Sequence, residues 1–392
     1  MTNQVLQHQP SQYILPTYAR YPVTFTKGQG CRLWDANGKE YIDFMSGIGV
    51  TSIGHAHPAW VQAISTQAQN LAHVSNLFHT EPGAKLAHKL CEISNMAGVF
   101  FSNSGAEANE GLIKTARKYS RDKYGSDRAT IITLEGSFHG RTITTLTATG
   151  QDKFHNHFHP FTPGFRYVKP GDIQALEAQG NDVCALLIET IQGEGGVMPL
   201  DTEYVHAAAQ LCKERDWLLL VDEVQTGIGR TGKWFGYQHF NISPDAISFA
   251  KGIAGGLPFG GFLVADKLNA TLGPGDHGST YGGNPICAAA ALVVLEIVEP
   301  LLQQVTANGE YICDKINAMN LPQVTDIRGK GLMLGLKIKD QPPAEINVKL
   351  LDSGLAALTA GTDILRFLPP LIIEKKDIDM GLKILHNVLG AA

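Results

Sequence analysis

Two ionisable residues, Lys251 and Asp222, each follow a short and largely apolar run of residues. Asp222 comes directly after Trp217–Val221, and Lys251 comes directly after Ala246–Ala250. Apolar runs of this length are typical of strands that are buried on both faces of a mainly parallel sheet. Ligands of open α/β sheets bind at the carboxyl ends of such strands. The sequence therefore predicts that both residues lie at the ligand-binding edge of a sheet.

These two residue types can do complementary chemistry. A partly desolvated lysine favours the neutral amine, which can form a Schiff base and later move protons. A carboxylate can hold a pyridine nitrogen protonated, which makes the ring of a bound cofactor a better electron sink. The alternatives are a solvated surface lysine and an aspartate that caps the next element. Both residues precede glycine-rich stretches, at 227–232 and 255–261, and this pairing favours one shared site.

A third candidate is the segment Ser102–Glu110, which joins the apolar run Gly98–Phe101 to a predicted helix. Ser104, Gly105 and Ala106 would expose backbone N–H groups at the helix N-terminus, where anions such as phosphate bind. The alternative is an ordinary helix cap, a position where Ser and Asn are common.

An aromatic residue and an arginine, Phe138 and Arg141, form a fourth candidate. The aromatic side chain could stack on a flat ring, and the arginine could grip a substrate carboxylate. A core phenylalanine beside a surface arginine is the alternative interpretation.

Other catalytic chemistry has little support. His155, His157 and His159 alternate along the chain, but no acidic or cysteine partner accompanies them, so we predict no metal site. The chain contains no G-x-S-x-G, H-E-x-x-H or P-loop pattern. A serine hydrolase, a zinc protease and a nucleoside triphosphatase are therefore disfavoured.

The elements that must position these residues form a predicted α/β domain over residues 51–285. There, short apolar runs alternate with amphipathic stretches, which indicates a mainly parallel sheet covered by helices. The two chain ends, 1–50 and 286–392, are predicted to form a smaller α+β domain. Its first part contains a hairpin, Cys31–Asp35 and Tyr41–Phe44, around Asn37-Gly38. Residues 285–300 are apolar nearly all round and predict a buried helix that links the two domains.

Composition excludes several classes of partner. The chain has 392 residues, a formal net charge of −5 and 44% hydrophobic residues, so we expect neither a nucleic-acid nor a membrane partner. The first sixteen residues lack the pattern of a secretory signal, and the six cysteines are scattered without a C-x-x-C pair. These features predict a cytoplasmic protein with reduced thiols.

Three long motifs, in this order, resemble those of the class III aminotransferases, which are enzymes of fold type I that use pyridoxal 5′-phosphate (PLP). The motifs are Asp222–Gly232, Ala250–Gly252 and His277–Pro285. The resemblance covers nearly the whole chain. It implies a large domain with a mainly parallel, seven-stranded sheet, beside the smaller α+β domain.

The resemblance also implies roles for individual residues. Lys251 would carry PLP and shuttle protons, and Asp222 would pair with the pyridinium nitrogen. Thr280 would reach the phosphate in the neighbouring subunit, which implies a homodimer with active sites at the interface. Arg141 and Ser279 would contact the substrate. The full cofactor-binding set would be Ser104, Gly105, Ala106, Phe138, Asp222, Glu223, Val224, Gln225, Lys251 and Thr280.

Within the class, four flanking segments are most similar to those of the acetylornithine aminotransferases: 100–110, 228–232, 328–333 and 366–371. That subfamily would transfer the δ-amino group of N2-acetyl-L-ornithine to 2-oxoglutarate in arginine biosynthesis. An ω-aminotransferase acting on ornithine, succinylornithine or 4-aminobutyrate shares the cofactor residues and is the nearest alternative. A PLP-dependent aminomutase or racemase of the same fold is the second, and a catalytically inactive PLP-fold binding protein the third.

One physical difficulty concerns the two substrates. Glutamate carries a carboxylate next to its reacting carbon, whereas acetylornithine carries none there, so a fixed arginine would be left unpaired with acetylornithine. The resemblance implies that Arg366 takes this carboxylate and that Glu194 masks Arg366 otherwise. Arg141 would then hold the far carboxylate of either substrate.

Overall fold

The computed structural model describes residues 13–390. Residues 1–12 and 391–392 lie outside the described range. They include most of the segment predicted to lack a secretory signal and the outer ends of the two predicted terminal regions. The strands are β1 (Phe25–Gln29), β2 (Arg32–Asp35), β3 (Glu40–Asp43), β4 (Gly98–Ser102), β5 (Thr130–Leu134), β6 (Phe165–Val168), β7 (Val183–Ile188), β8 (Ile191–Gln192), β9 (Met198–Pro199), β10 (Leu218–Asp222), β11 (Ala246–Phe249), β12 (Gly260–Val264), β13 (Val324–Lys330), β14 (Met333–Ile338), β15 (Leu355–Ala356), β16 (Leu358–Ala360) and β17 (Ile364–Phe367).

The helices are α1 (Ser46–Gly49), α2 (Pro58–Asn70), α3 (Glu81–Ser94), α4 (Gly105–Tyr124), α5 (Ile143–Ala148), α6 (Ile173–Glu177), α7 (Thr202–Arg215), α8 (Pro285–Val298), α9 (Leu302–Ala318), α10 (Pro343–Asp352) and α11 (Lys375–Leu389). Short 3₁₀ turns lie between them, and those at Asp152–Phe154 and Lys251–Ala254 border the site described below.

The largest sheet has seven strands in the order β4-β12-β11-β10-β7-β5-β6. Strand β12 runs antiparallel to both of its neighbours, and every other pair is parallel. Every residue of β5, β7, β10, β11 and β12 is buried, because helices cover both faces of the sheet. The predicted mainly parallel, seven-stranded sheet is confirmed, and β10 and β11 are adjacent within it.

Two four-stranded sheets use the ends of the chain. The first has the order β1-β2-β3-β15, so it joins three N-terminal strands to a strand from the C-terminal part. Its β2–β3 pair is the predicted hairpin, with Arg32 opposite Ile42. The second is antiparallel, in the order β13-β14-β17-β16. Both sheets fit the predicted small α+β domain, whose limits stay a prediction.

Helix α8 lies where the sequence predicts a buried helix at 285–300, and its role as a link between two domains stays a prediction. The side chain of Asn284 caps it by accepting from the Ile286 and Cys287 N–H groups, and Pro285 is its first residue. The helical segment Pro285–Ala318 is by length and composition apolar enough to cross a membrane, but a single such helix is weak evidence. The core helix of a soluble protein passes the same test, and α8 packs here against α2 and α3.

Candidate active site

A cavity of about 430 Å³ opens at the carboxyl ends of β10 and β11. This is the edge where the sequence predicts a ligand. Ten of the predicted site residues line the cavity: Ser104, Gly105, Ala106, Phe138, Arg141, Glu194, Asp222, Val224, Gln225 and Lys251. Of the other four, Arg366 contacts this group through Glu194, whereas Glu223, Ser279 and Thr280 lie outside the lining.

Lys251 is the first residue of the turn that follows β11. Its φ angle is +47°, a left-handed conformation that costs energy in a non-glycine residue and that clusters at functional sites. Burial lowers the pKa of the Lys251 ammonium, an effect that Glu194 opposes and Arg366 reinforces. Within residues 13–390, no hydrogen bond engages its Nζ. The neutral, nucleophilic amine is therefore more accessible here than on a solvated lysine.

Asp222 ends β10 and is only 4% exposed. Its Oδ2 accepts from Asn109 Nδ2 at 2.7 Å and lies 2.8 Å from His139 Nδ1. Its Oδ1 accepts from the Val224 N–H at 3.0 Å and faces Ser248 Oγ at 3.4 Å. These four groups fix the carboxylate. Asn109, His139 and Ser248 are not among the predicted site residues, although Asn109 lies within the segment Ser102–Glu110 and His139 lies between Phe138 and Arg141.

The N-terminus of α4 opens onto the cavity and can hold an anion. Ser104 is the N-cap, and its Oγ accepts from the Glu107 N–H at 3.2 Å, as the helix-cap interpretation predicts. The N–H groups of Gly105 and Ala106 belong to the first helical turn and need partners from outside the helix. A Cβ on Gly105 would lie 2.7 Å from Val224 Cγ1. Glycine at this position thus lets the helix start pack against the loop after Asp222.

Arg366 and Glu194 form an ion pair at the cavity wall. Arg366 Nη1 lies 2.6 Å from Glu194 Oε1, and it donates to Gln225 Oε1 at 3.3 Å. Arg366 is 2% exposed, and it lies on β17 opposite Gly335. Burial opposes ionisation of Glu194, but the charge and hydrogen bond of Arg366 outweigh it, so the Glu194 pKa lies below its ordinary value. The two side chains that the resemblance pairs are thus in contact, and the masking role of Glu194 stays a prediction.

Glu189 is a buried carboxylate that is not among the predicted site residues. Its Oε1 accepts from the Phe138 N–H at 2.7 Å, and its Oε2 accepts from the Gly193 N–H at 3.0 Å. One side chain therefore ties the loop that carries Phe138 to the loop that carries Glu194. Burial raises the pKa of Glu189 to about 7. Glu189 directly follows the apolar strand β7, and this position is the only sequence signal that would have marked it.

Glu223 and Ser279 belong to the predicted set, but neither residue lines the cavity. The Glu223 carboxylate is fully buried beneath the following loop, where it accepts from Thr226 Oγ1 and from the N–H groups of Gly236 and Tyr237. Its side chain supports that loop and does not reach the cavity. Ser279 Oγ accepts from Asn103 Nδ2 at 3.2 Å, so its loop touches the cavity rim through Asn103.

The three alternating histidines have separate partners. His155 Nε2 lies 2.9 Å from the Leu146 carbonyl oxygen, His157 packs on Phe158, and His159 packs on Phe161. In residues 13–390, no group of three or more His, Cys, Asp or Glu side chains is placed to hold a metal ion.

The donors and acceptors of the cavity fit a phosphorylated pyridine aldehyde. The start of α4 supplies N–H groups for the phosphate, the fixed Asp222 carboxylate suits a ring nitrogen, and the unpartnered Lys251 amine suits the aldehyde carbon. Phe138 and Val224 provide apolar surface for the ring.

Comparison with known proteins gives a consistent picture. The family model described as aminotransferase class-III matches residues 13–389. The acetylornithine aminotransferase of Haemophilus ducreyi is 50% identical over 394 residues, which span 100% of each chain. A solved ornithine aminotransferase from Toxoplasma gondii superposes with a TM-score of 0.93 at 32% identity, over 97% of this chain and 92% of that one. A solved N-acetylornithine aminotransferase from Stenotrophomonas maltophilia gives 0.84 at 36% identity, over 95% and 97%.

Proposed function

Because this chain belongs to the class-III aminotransferases, we propose that it transfers the δ-amino group of N2-acetyl-L-ornithine to 2-oxoglutarate. The products are N-acetyl-L-glutamate 5-semialdehyde and L-glutamate, a step of arginine biosynthesis. The observation that carries the substrate assignment is the full-length similarity to the Haemophilus ducreyi acetylornithine aminotransferase. The placement of Lys251 and Asp222 in one cavity supports the reaction class.

The cofactor of the family is PLP, and each part of the reaction has a matching residue here. When bound, PLP supplies an electron sink for the carbon that loses a proton. Asp222 holds a proton on the ring nitrogen, and Asn109 and His139 keep its Oδ2 oriented. Lys251 Nζ would take the proton from the δ-carbon of the donor and pass it to the former aldehyde carbon of the cofactor. In the second half of the transfer it would take that proton back and deliver it to Cα of the new glutamate.

Substrate recognition uses two arginines in different ways. Arg141 holds the far carboxylate, which acetylornithine and glutamate both carry. Arg366 holds the α-carboxylate of glutamate alone, and Glu194 neutralises Arg366 when acetylornithine is bound. The 2.6 Å contact between Arg366 and Glu194 supports this switch, because it pairs the arginine before any substrate arrives.

The experiment that tests the substrate is a half-reaction without 2-oxoglutarate, followed by the absorption spectrum of the bound cofactor. We expect acetylornithine to change the spectrum at least about tenfold faster than ornithine or 4-aminobutyrate, since a mismatch of about 1.4 kcal/mol gives this ratio. Succinylornithine, measured in the same way, tests whether the enzyme distinguishes between acyl groups on the donor. If acetylornithine leaves the spectrum unchanged, the substrate assignment is wrong and the reaction class stands. A spectrum that recovers without 2-oxoglutarate indicates an aminomutase or a racemase instead.

The enzyme acts as a homodimer with active sites at the interface. In support, Leu77 is 88% exposed and Phe78 and Tyr281 are each 65% exposed, which is unusual for large apolar side chains that lie close together. Asn76 joins their two loops by donating to the Ser279 and Gly282 carbonyls at 2.8 and 2.9 Å. The exposed Thr280 lies in the second loop, beside Tyr281 of this apolar patch, and the proposed dimer would bring it to the neighbouring cavity.

Replacing Leu77 and Phe78 together by Asp is expected to dissociate the dimer, because two charges would then have to be buried in the contact. Light scattering should give twice the 42.3 kDa chain mass for the unmodified enzyme and a single chain mass for the double variant. Activity should fall at least about tenfold, since Thr280 no longer reaches the neighbouring phosphate. Val348→Asp, at a separate exposed apolar residue of α10 (43% exposed), is the matched control. A fully active monomer would contradict the proposal.

We also propose a cytoplasmic location. All six cysteines are free thiols, and three of them (Cys31, Cys184 and Cys212) are buried as small apolar residues. Labelling of the denatured protein from gently lysed cells should count six reactive thiols, and a lower count would contradict a reducing compartment.

A further inference from the structure

The guanidinium of Arg141 is held by aromatic faces instead of by hydrogen bonds. Its Cζ lies 4.2 Å from the ring centroid of Phe154 and 5.4 Å from that of Phe138. Arg141 is exposed to the cavity. In the part of the chain that the structure describes, its side chain makes these two ring contacts and no hydrogen bond or ion pair. The N–H groups on its edge are therefore available to a ligand.

Phe154 comes from a different segment than Arg141. It ends the 3₁₀ turn Asp152–Phe154, is half-buried, and meets the Phe138 ring edge-to-face at 5.9 Å and 72°. The residue before this turn, Gln151, donates from Nε2 to the Ser137 carbonyl at 2.9 Å. This bond anchors the turn to the loop of Phe138, so the Phe154 ring has a fixed place beside the cavity.

This arrangement suits an arginine that must receive carboxylates repeatedly. A guanidinium can stack its face on an aromatic ring while its edge stays free for a two-pronged contact with a carboxylate. An acidic partner would also hold Arg141 in place, but it would compete with the substrate for the same N–H groups. Glu194 plays that competing role toward Arg366, whereas the aromatic rings leave the edge of Arg141 unoccupied.

We propose that Phe154 is a substrate-positioning residue, whose ring face holds Arg141 ready for the carboxylate that both substrates share. The inference rests on the role of Arg141 in the proposed function. Because the shared carboxylate lies far from the reacting carbon, loss of Phe154 weakens binding of acetylornithine and of 2-oxoglutarate alike. It leaves the chemical step nearly unchanged, since uniform binding affects KM and not kcat.

Phe154→Ala and Phe154→Leu test the proposal in the PLP-loaded enzyme. Both should raise the KM for acetylornithine and the KM for 2-oxoglutarate about fivefold to tenfold, with kcat within about twofold, because a partly desolvated cation–π contact is lost. Leucine preserves most of the volume and guards against misfolding of the alanine variant. Phe154→Trp keeps a ring face and should retain both KM values within about twofold. Phe158→Ala, at an exposed residue four positions along (52% exposed), is the matched control and should change neither KM.

Two results would overturn the inference. If Phe154→Leu keeps both KM values, apolar bulk suffices and the ring face is unimportant. If only one KM rises, Phe154 does not act through the shared carboxylate. Arg141→Met separates these failures from a failure of the proposed function: if it changes neither KM, then the role assigned to Arg141 is wrong. If it raises both while Phe154→Ala raises neither, only the present inference is wrong. The dissociation constant of PLP should stay unchanged in each Phe154 variant, which excludes an indirect effect through Phe138.

Discussion

Replacement of Lys251 by Ala should lower kcat by at least about 10³-fold, because one side chain is both the attachment point of the cofactor and the proton carrier. The structure gives Lys251 no substitute. It lies at the end of β11 in a left-handed conformation, and no other lysine lines the cavity among the described residues. Burial lowers its pKa, so the reactive neutral amine is present at a lower pH than for a solvated lysine, whose ammonium persists to about pH 10.

Covalent attachment offers a second measurement on the same variant. After borohydride reduction, mass spectrometry should find PLP on the peptide that contains Lys251 in the unmodified enzyme and no labelled peptide in Lys251→Ala. Lys213→Ala, on the exposed side of α7, is the matched control and should keep full activity and labelling. Activity of Lys251→Ala within about tenfold of the unmodified enzyme would refute the assignment of Lys251, since acid–base catalysis alone contributes more than this.

The second large effect is expected from Glu194→Ala, which should change the choice of substrate. With acetylornithine bound to this variant, the buried Arg366 would keep Gln225 Oε1 at 3.3 Å as its one side-chain partner within residues 13–390, and an unpaired buried charge is costly. With glutamate bound to this variant, the α-carboxylate pairs with Arg366 directly, because it no longer has to displace the Glu194 side chain. We therefore expect kcat/KM for acetylornithine to fall and kcat/KM for glutamate to hold or rise. The ratio of kcat/KM for glutamate to kcat/KM for acetylornithine should rise at least about tenfold, equivalent to about 1.4 kcal/mol.

Matched variants make this test specific. Glu194→Gln keeps an oxygen acceptor for Arg366 without the charge, so we expect a smaller shift in the same direction. Glu203→Ala removes an exposed acidic residue of α7 and should leave the ratio unchanged. An unchanged acetylornithine half-reaction in Glu194→Ala, with glutamate no better, would mean that the Arg366–Glu194 pair is structural and that no switch exists.

The buried carboxylates of Asp222 and Glu189 are each held by hydrogen bonds from several segments of the chain. Asp222 is fixed by groups from α4, from the Phe138 loop and from β11, and Glu189 fixes the backbone N–H groups of Phe138 and Gly193. Both oxygens of Asp222 and both oxygens of Glu189 thus have hydrogen-bond partners from neighbouring segments. Such support keeps reacting groups within the narrow geometry that catalysis requires.

Much of the site could be predicted because it depends on local sequence. Asp222 and Lys251 each follow an apolar run, which predicts positions at the carboxyl ends of buried strands. Asp222 ends β10, and Lys251 begins the turn after β11. The start of α4 at Ser104 and Gly105 follows from capping chemistry, and the β2–β3 hairpin follows from Asn37-Gly38. The roles of Thr280, Arg366 and Glu194 came from resemblance to a family, because no local property of these residues indicates them.

Only the tertiary structure decided the sheet order and the contacts between distant segments. Gly260 and Gly261 belong to a glycine-rich stretch that suggests a turn, yet they begin β12, which inserts antiparallel between β4 and β11. A Cβ on Gly261 would lie 2.3 Å from the Phe100 carbonyl oxygen, so close strand approach explains the glycine. Likewise, Phe154 meets Arg141 and Glu189 joins two loops because packing brings separate segments together. Hydrophobic periodicity and local propensity predict each helix or strand separately. Contacts between distant segments depend instead on how whole elements pack against one another.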